Sequence, residues 1–471
     1  VTVAGAGDAV AAARAAPVAL VASVSPGETR VARLERGRCV AVTCHRPWAA
    51  APGAVLLGRL GPRLPGGGGA FVDLGAWGDG YLDAREVTAT TPPQGAAVLV
   101  QVRQAARVDA PAGDKAARLT LAPALTTARL ALGGRRPGAA VSRRLVDPAE
   151  RTRLLDLVKD LVAPGESLVA RTAAAGATPE SLTADLARLR TAWAGLRARM
   201  DTARPPALLI PAPLDWDAVL SSRGPLPSVV ILDDNAARDG VAEGLAEALG
   251  TDDPPPLALL VHAGADDLWE ASGVAEAVDA ALSPVVPLPG GGRLVVEPTS
   301  ALVAVDVDAG AGPPGRANAA ALAALPAEIR LRGLAGHIVV DLLPGGRGPR
   351  LAPTARQTLE TALAADPAMP RLAGVSRLGL LELSRERRGP TLAEMMRGPA
   401  AQALAALRLA VREARATAAT ALAVTVSPQA AALLRGPLAP TVTEARTRLG
   451  LTLTVRPLSA GVDADPVIGP P

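Results

Sequence analysis

The chain runs to 471 residues, of which 49% are hydrophobic and 20% charged, with a mild net charge of +4. That apolar content supports roughly two to four domains and excludes a wholly disordered chain, while 47 Gly and 44 Pro stay below the roughly 25–30% that marks low complexity. No stretch approaches the ~20 apolar residues of a membrane span.

The start, "VTVAGAGDAVAAARAAPVALVASVS", is Ala-rich and has neither a basic lead nor a clear cleavage site. It reads as a loose arm before a first strand, not as an export signal. "VALVASV", "TRVARLE" and "RCVAVTC" then read as three strands, with "SPGE" and "RG" as turns. Cys39 and Cys44, the only cysteines, are five positions apart on the third strand and should face opposite ways. A disulfide between them is not expected, which fits a reducing, cytoplasmic setting. Further short strands, "AVLLGRLGPRL", "GAFVDLG", "DGYLDA" and "AAVLVQVRQ", suggest a small barrel of OB type. This stretch holds the only Phe and the only Tyr, Phe71 and Tyr81. They are either ordinary core rings or an exposed platform on which single-stranded bases stack.

From "DPAERTRLLDLVKDLV" the apolar period becomes helical. A strand, "ESLVART", follows, and then an amphipathic helix opening at Thr178 as N-cap with Pro179 in the first position. "PSVVILDD" reads as a buried strand and "AARDGVAEGLAEAL" as a helix. The spacing from 289 to 345 predicts a β-hairpin in "GGRLVVEPTSALVAVDVDAG". A helix flawed by Pro326 comes next, then the strand "GHIVVDLLP". Such a strand-helix-strand unit sets two parallel strands side by side. After "PTLAEMM" a small unit of helix, strand, helix and strand is expected.

Asp306 and Asp341 each end an apolar strand, and they lie 35 positions apart, one crossover unit. If the strands are neighbours, both carboxylates leave the same edge of the sheet, where ligands bind in open α/β folds. Two adjacent carboxylates repel unless a proton or cation intervenes. Mg²⁺ suits them: it takes one or two carboxylates, keeps its waters and engages phosphate. Asp308, on the same face as Asp306, is a candidate third oxygen donor. Strand-end Asp residues also form turns and caps, and spacing alone does not separate the two readings. Arg171 and Thr172 combine a guanidinium with a hydroxyl, a pair suited to a terminal phosphate. His45, His262 and His337 form no pattern with the cysteines, so no zinc site is expected.

Taken together, and in order, several segments resemble the bacterial ribonuclease E/G family, from about residue 18 to about residue 460. "GAFVDLGAWGDGYLDAREV" resembles its OB-fold RNA-binding module. "GDKAARLT" and "LVARTAAAGATPESLTADLARLRTAW" resemble its 5′-end sensor. "GGRLVVEPTSALVAVDVDAG", "NAAALAALPAEIRLRGLAGHIVVDLLP" and "VSRLGLLELSRERRGPTL" resemble its catalytic domain. The resemblance implies a mixed α/β, multidomain chain. A ribonuclease-H-like domain would span 18–50 and 206–285, with an OB-fold domain at 51–105 inserted in it. A 5′-sensor domain would span 106–205, a metal-dependent catalytic domain 286–396, and a small C-terminal α/β domain 397–471. It implies an endoribonuclease that cuts single-stranded RNA in RNA processing and decay, using one Mg²⁺ per active site and favouring 5′-monophosphorylated substrates. The alternative is a derived RNA-binding protein without cleavage.

Carried over by residue, Asp306 and Asp341 would hold the metal, with Asp308 as a third catalytic residue where the family usually has Asn. Phe71, Tyr81 and Lys115 would bind RNA, and Arg171 and Thr172 the 5′-phosphate. The chain departs from the family pattern at Ala116 (usually Gly), Ser300 (commonly acidic) and Gly333 (commonly Asp). It also lacks the paired cysteines that usually follow "PTL", so a homodimer would not be linked by zinc.

Overall fold

A computed structural model describes residues 2–3, 8–106, 115–214, 216–220, 225–249, 257–262, 264, 266–344, 351–417, 419–458 and 466–470. The Gly113 and Asp114 of the expected sensor start "GDKAARLT" lie outside these residues. The chain forms two compact units. One comprises Val1–Cys44, Asp215–Arg238 and Pro256–Pro471, and the other His45–Leu214 and Asp239–Pro255.

The first unit contains three sheets. In a six-stranded sheet the order is Thr2–Val3, Ala258–Val261, Val229–Leu232, Val18–Ser25, Glu28–Glu35, Arg38–His45. Val18–Ser25 pairs parallel with Val229–Leu232 and antiparallel with Glu28–Glu35. Its first six residues are all buried, the continuous apolar run of a strand covered on both faces. Arg33, fully buried in this sheet, is paid for by three carbonyls, those of Val219, Leu220 and Pro225, at 2.7–3.2 Å. Cys39 and Cys44 form no disulfide with each other.

The second sheet of this unit has the order Val285–Pro287, Arg293–Pro298, Val303–Asp308, Gly336–Asp341, Leu380–Arg385, Arg371–Val375. The hairpin is present, and Val303–Asp308 runs parallel to Gly336–Asp341 through the helix Pro314–Leu331. That helix buries Ala317, Ala321, Leu325 and Ile329, spaced four apart on one stripe. Pro326 sits between two of them without ending the helix. Gly333, just beyond the helix, takes a left-handed φ of +63°, and a Cβ there would meet Thr391 Cα at 3.3 Å. A helix C-terminus of this shape favours glycine. The strand Val303–Asp308 alternates buried and open positions, so one face packs on the helix layer and the other stays free. In the third sheet Ala421–Val426 pairs parallel with Thr452–Pro457 and antiparallel with Val467–Gly469, beside the helix Gly398–Thr417.

The other unit holds a closed five-stranded barrel in the order Val55–Arg63, Ala70–Asp73, Asp79–Leu82, Ala117–Thr120, Ala97–Gln104 and back to Val55–Arg63. The closing strand, Ala117–Thr120, lies past the expected barrel limit of 105, in a segment expected to open the sensor. Sequence reading places no strand there, because four residues are too few to carry a clear period. Leu56, Leu60, Val72, Leu82, Val100 and Leu119 fill the barrel. Gly80 leaves room for Leu119, since a Cβ there would lie 2.3 Å from Leu119 Cδ1 and force that side chain to move. A second sheet, Ala124–Thr126, Leu130–Gly133, Ser167–Ala170 and Gly138–Val141, packs with the helices Pro148–Leu161 and Pro179–Thr202. Thr178 caps the longer helix as expected, its hydroxyl accepting from Ser181 N at 3.2 Å. Ala207–Ile210 pairs with the barrel strand Val55–Arg63, so this segment joins the barrel's sheet rather than that of residues 18–45. Among the described residues no helix is long and apolar enough to cross a membrane.

Candidate active site

Asp306 and Asp341 are direct register partners on neighbouring parallel strands. Adjacent strands lie about 4.8 Å apart, and partners share a face, so the two carboxylates stand side by side. Both are exposed. Neither has a hydrogen bond or ion pair among the described residues, so their oxygens are uncommitted. Two free hard oxygen donors beside open solvent fit Mg²⁺, which fills its remaining positions with water and phosphate. Among the described residues no group of three or more His, Cys, Asp and Glu converges into a closed metal cage.

Asp308 is on the same face but is engaged elsewhere. Its Oδ1 accepts from Gly310 N at 2.8 Å, and Arg293 Nη2 lies 2.7 Å from its Oδ2. The Gly310 N–H, and next the Arg293 charge, hold this carboxyl below the usual carboxylate range. Arg293 is its register partner on the hairpin strand, which sequence spacing did not reveal. The same open face continues through Val295 and Glu297, through Val339 and His337, and through Glu382. The strand that carries Asp341 is anchored at its end. Asn318, on the crossover helix, donates to Leu343 O at 2.9 Å and accepts from Leu343 N at 3.0 Å. This clamp fixes the backbone just beyond Asp341.

In the other unit, Phe71 and Tyr81 are cross-strand partners on the outside of the barrel. Phe71 is 36% exposed, although the barrel interior is built from Leu, Val and Ala. Their ring centroids are 5.7 Å apart with planes inclined at 56°. Tyr81 Oη donates to Gly68 O at 2.5 Å, which fixes its ring. Arg118 is the next residue in this row, paired with Tyr81 across the parallel strand, and Lys115 is exposed shortly before it. Both rings lie outside the barrel core. Trp77 belongs to the fold instead, its indole N–H donating to Trp48 O at 2.7 Å.

Arg171 and Thr172 follow the strand Ser167–Ala170, at the end of the second sheet. Arg171 Nη1 donates to Thr127 O, which orients the guanidinium. The Thr172 hydroxyl is 3.3 Å from that of Ser142, a neighbour contributed by the adjacent parallel strand and not anticipated from sequence. Thus a guanidinium and two hydroxyls sit at one sheet end.

Residues 130–388 match the family model described as "Ribonuclease E/G family". Arg171, Thr172, Asp306, Asp308 and Asp341 fall inside that span, and Phe71, Tyr81 and Lys115 before it. The chain is 28% identical over 357 residues to ribonuclease G of Haemophilus influenzae, covering 69% of this chain and 71% of that protein. It is 27% identical over 357 residues to ribonuclease G of Escherichia coli, with the same two shares. To ribonuclease E of Nostoc sp. it is 30% identical over 313 residues, which is 62% of this chain but only 45% of that protein. With more than half of its length matched by the family model, this chain belongs to the ribonuclease E/G family.

Proposed function

We propose that this endoribonuclease cuts single-stranded RNA internally, with one Mg²⁺ held between Asp306 and Asp341. The observation that carries the reading is their direct pairing on one exposed face with no competing partner among the described residues. The reaction is hydrolysis: a water oxygen bonds to phosphorus, the P–O3′ bond breaks, and the products carry a 5′-phosphate and a 3′-hydroxyl. Bound there, Mg²⁺ would supply charge to the scissile phosphate and acidify a water. The protein's own part is to hold two carboxylates together, which the parallel register and the Asn318 clamp accomplish.

Phe71 and Tyr81 would stack successive bases without strong sequence preference, with Arg118 and Lys115 holding the backbone. Arg171, Thr172 and Ser142 would receive a 5′-monophosphate, matched by a planar fork and hydroxyl donors. The barrel then serves as the OB-type RNA module, and the sheet of residues 18–45, 229–232 and 258–261 as the ribonuclease-H-like part. RNA processing in the cytoplasm is the corresponding role.

A labelled single-stranded RNA tests this. Wild type should cut it only with Mg²⁺, and Asp306→Ala or Asp341→Ala should lower the rate by at least about 100-fold, as for loss of a principal electrostatic group. Binding without cutting, unchanged by Asp306→Ala, would leave the RNA-binding alternative in its place. A 5′-monophosphate should speed cleavage over a 5′-hydroxyl in wild type and not in Arg171→Ala.

A further inference from the structure

The open face near the ends of its two parallel strands carries three carboxylates, Asp306, Asp308 and Asp341, and one guanidinium, Arg293. Glu297 and Glu382 lie farther back along it, opposite Ala304 and Val339. Asp306 and Asp341 are free of partners among the described residues, whereas both oxygens of Asp308 are engaged, one by Gly310 and one by Arg293. Arg293 thus cancels the one carboxylate that the metal pair does not need. The remaining charge of the group is that of two carboxylates, the amount a divalent cation balances. Without Arg293 the group would carry a third charge that repels an approaching phosphate.

Arg293 has capacity to spare. Its side chain is 56% exposed, and Asp308 is its only side-chain partner among the described residues. A guanidinium has five N–H donors in a rigid fork, so most remain available. It stands directly opposite Asp308 and diagonal to Asp306 on the next strand. That places a phosphate-matching fork, already oriented by an ion pair, beside the free carboxylates.

We infer that Arg293 is a substrate-binding residue of the carboxylate site, which neutralises Asp308 and gives its remaining donors to an RNA phosphate next to the scissile one. The inference rests on Asp306 and Asp341 as the metal-holding pair. It separates two roles for one side chain: charge balance felt by the cation, and donors felt by the RNA.

The two roles are read separately in Arg293→Ala, Arg293→Lys and the double variant Arg293→Ala with Asp308→Asn. Calorimetric titration with Mg²⁺ alone reads the first, and anisotropy of labelled RNA without Mg²⁺ reads the second. Cleavage kinetics supply KM and kcat. In Arg293→Ala, Mg²⁺ should bind roughly threefold to tenfold tighter, because a carboxylate is uncovered. RNA binding should weaken on the order of tenfold, with KM rising more than kcat falls. Adding Asp308→Asn should return the Mg²⁺ affinity to the wild-type value and leave RNA binding weak. Arg293→Lys keeps the charge without the fork, so its Mg²⁺ affinity should match wild type while RNA binding stays reduced. It also serves as the comparison if Arg293→Ala melts early. Unchanged Mg²⁺ affinity and unchanged RNA binding in Arg293→Ala, beside an active wild type, would reduce the pair to a surface ion pair and overturn the inference alone. A wild type that neither takes up Mg²⁺ nor cuts RNA would bring down the parent reading and the inference together.

Discussion

At the residue scale, chemistry here depends on which side chains are left without partners. Asp306 and Asp341 are free and Asp308 is not, although all three share a face. The same contrast holds on the barrel, where Tyr81 is tethered by its hydroxyl and Phe71 is exposed. Phe71→Ala should therefore weaken binding of single-stranded RNA by about 1–3 kcal/mol, with no loss of folding stability on the core scale. Fluorescence anisotropy and a melting curve of the same protein check both parts. A stability loss comparable to truncating Leu82 would return the ring to a packing role. Much of this was legible in the sequence. Rare Phe and Tyr stood out against a Leu, Val and Ala background, and the 35-residue spacing of two strand-end Asp residues proposed the pair. What spacing could not supply was cross-strand register: Arg293 opposite Asp308, Arg118 beside Tyr81, and Ser142 beside Thr172 are separated in sequence and joined only by pairing.

At the scale of elements, small polar clamps hold the working strands and helices in place. Asn318 ties the crossover helix to Leu343 by two hydrogen bonds. Asn318→Ala should cost about 1–2 kcal/mol in urea unfolding, and slow cleavage severalfold because the segment after Asp341 loosens. A second clamp is Glu150, in the first turn of the helix Pro148–Leu161. It accepts two hydrogen bonds from Arg153 at 2.6 and 2.7 Å and one from Gly176 N at 2.8 Å. Arg153 first, then the Gly176 N–H, hold its carboxyl down to about 2. A carboxyl with a depressed folded pKa stabilises above its ordinary value and loses that contribution as pH falls toward the folded one. Glu150→Gln should therefore be less stable than wild type by about 1 kcal/mol at pH 7. That gap should stay level down to about pH 5 and close as pH drops toward 2. A gap that widens in acid would contradict the assignment. The helices themselves were readable from period and caps, Thr178 with Pro179 being the clearest. The closing barrel strand Ala117–Thr120 was not, because a four-residue apolar alternation does not say which sheet it completes.

At the scale of the whole molecule, the two cysteines are both on the strand Arg38–His45, and burial pushes the Cys39 thiol up to about 12. A neutral, covered thiol is a poor metal ligand. With only two cysteines in the chain, both on this strand, a zinc-selective chelator should leave the sedimentation profile of any self-associated form unchanged, and a shift to lighter species would show a metal link after all. The division into units has a consequence of its own. The strands Val18–Ser25 and Val229–Leu232 are neighbours in one sheet, yet all of residues 45–214 intervene. On a ribosome adding about 5–20 residues per second, the early β-ribbon waits roughly 10–40 s for its mate to emerge. Meanwhile the barrel and the helices beside it already possess every residue they need. The barrel and those helices therefore have time to form before that sheet is completed, although Asp239–Pro255 of their unit emerges later still, and the nascent edge left open in that interval is the place where a holding chaperone would be most useful.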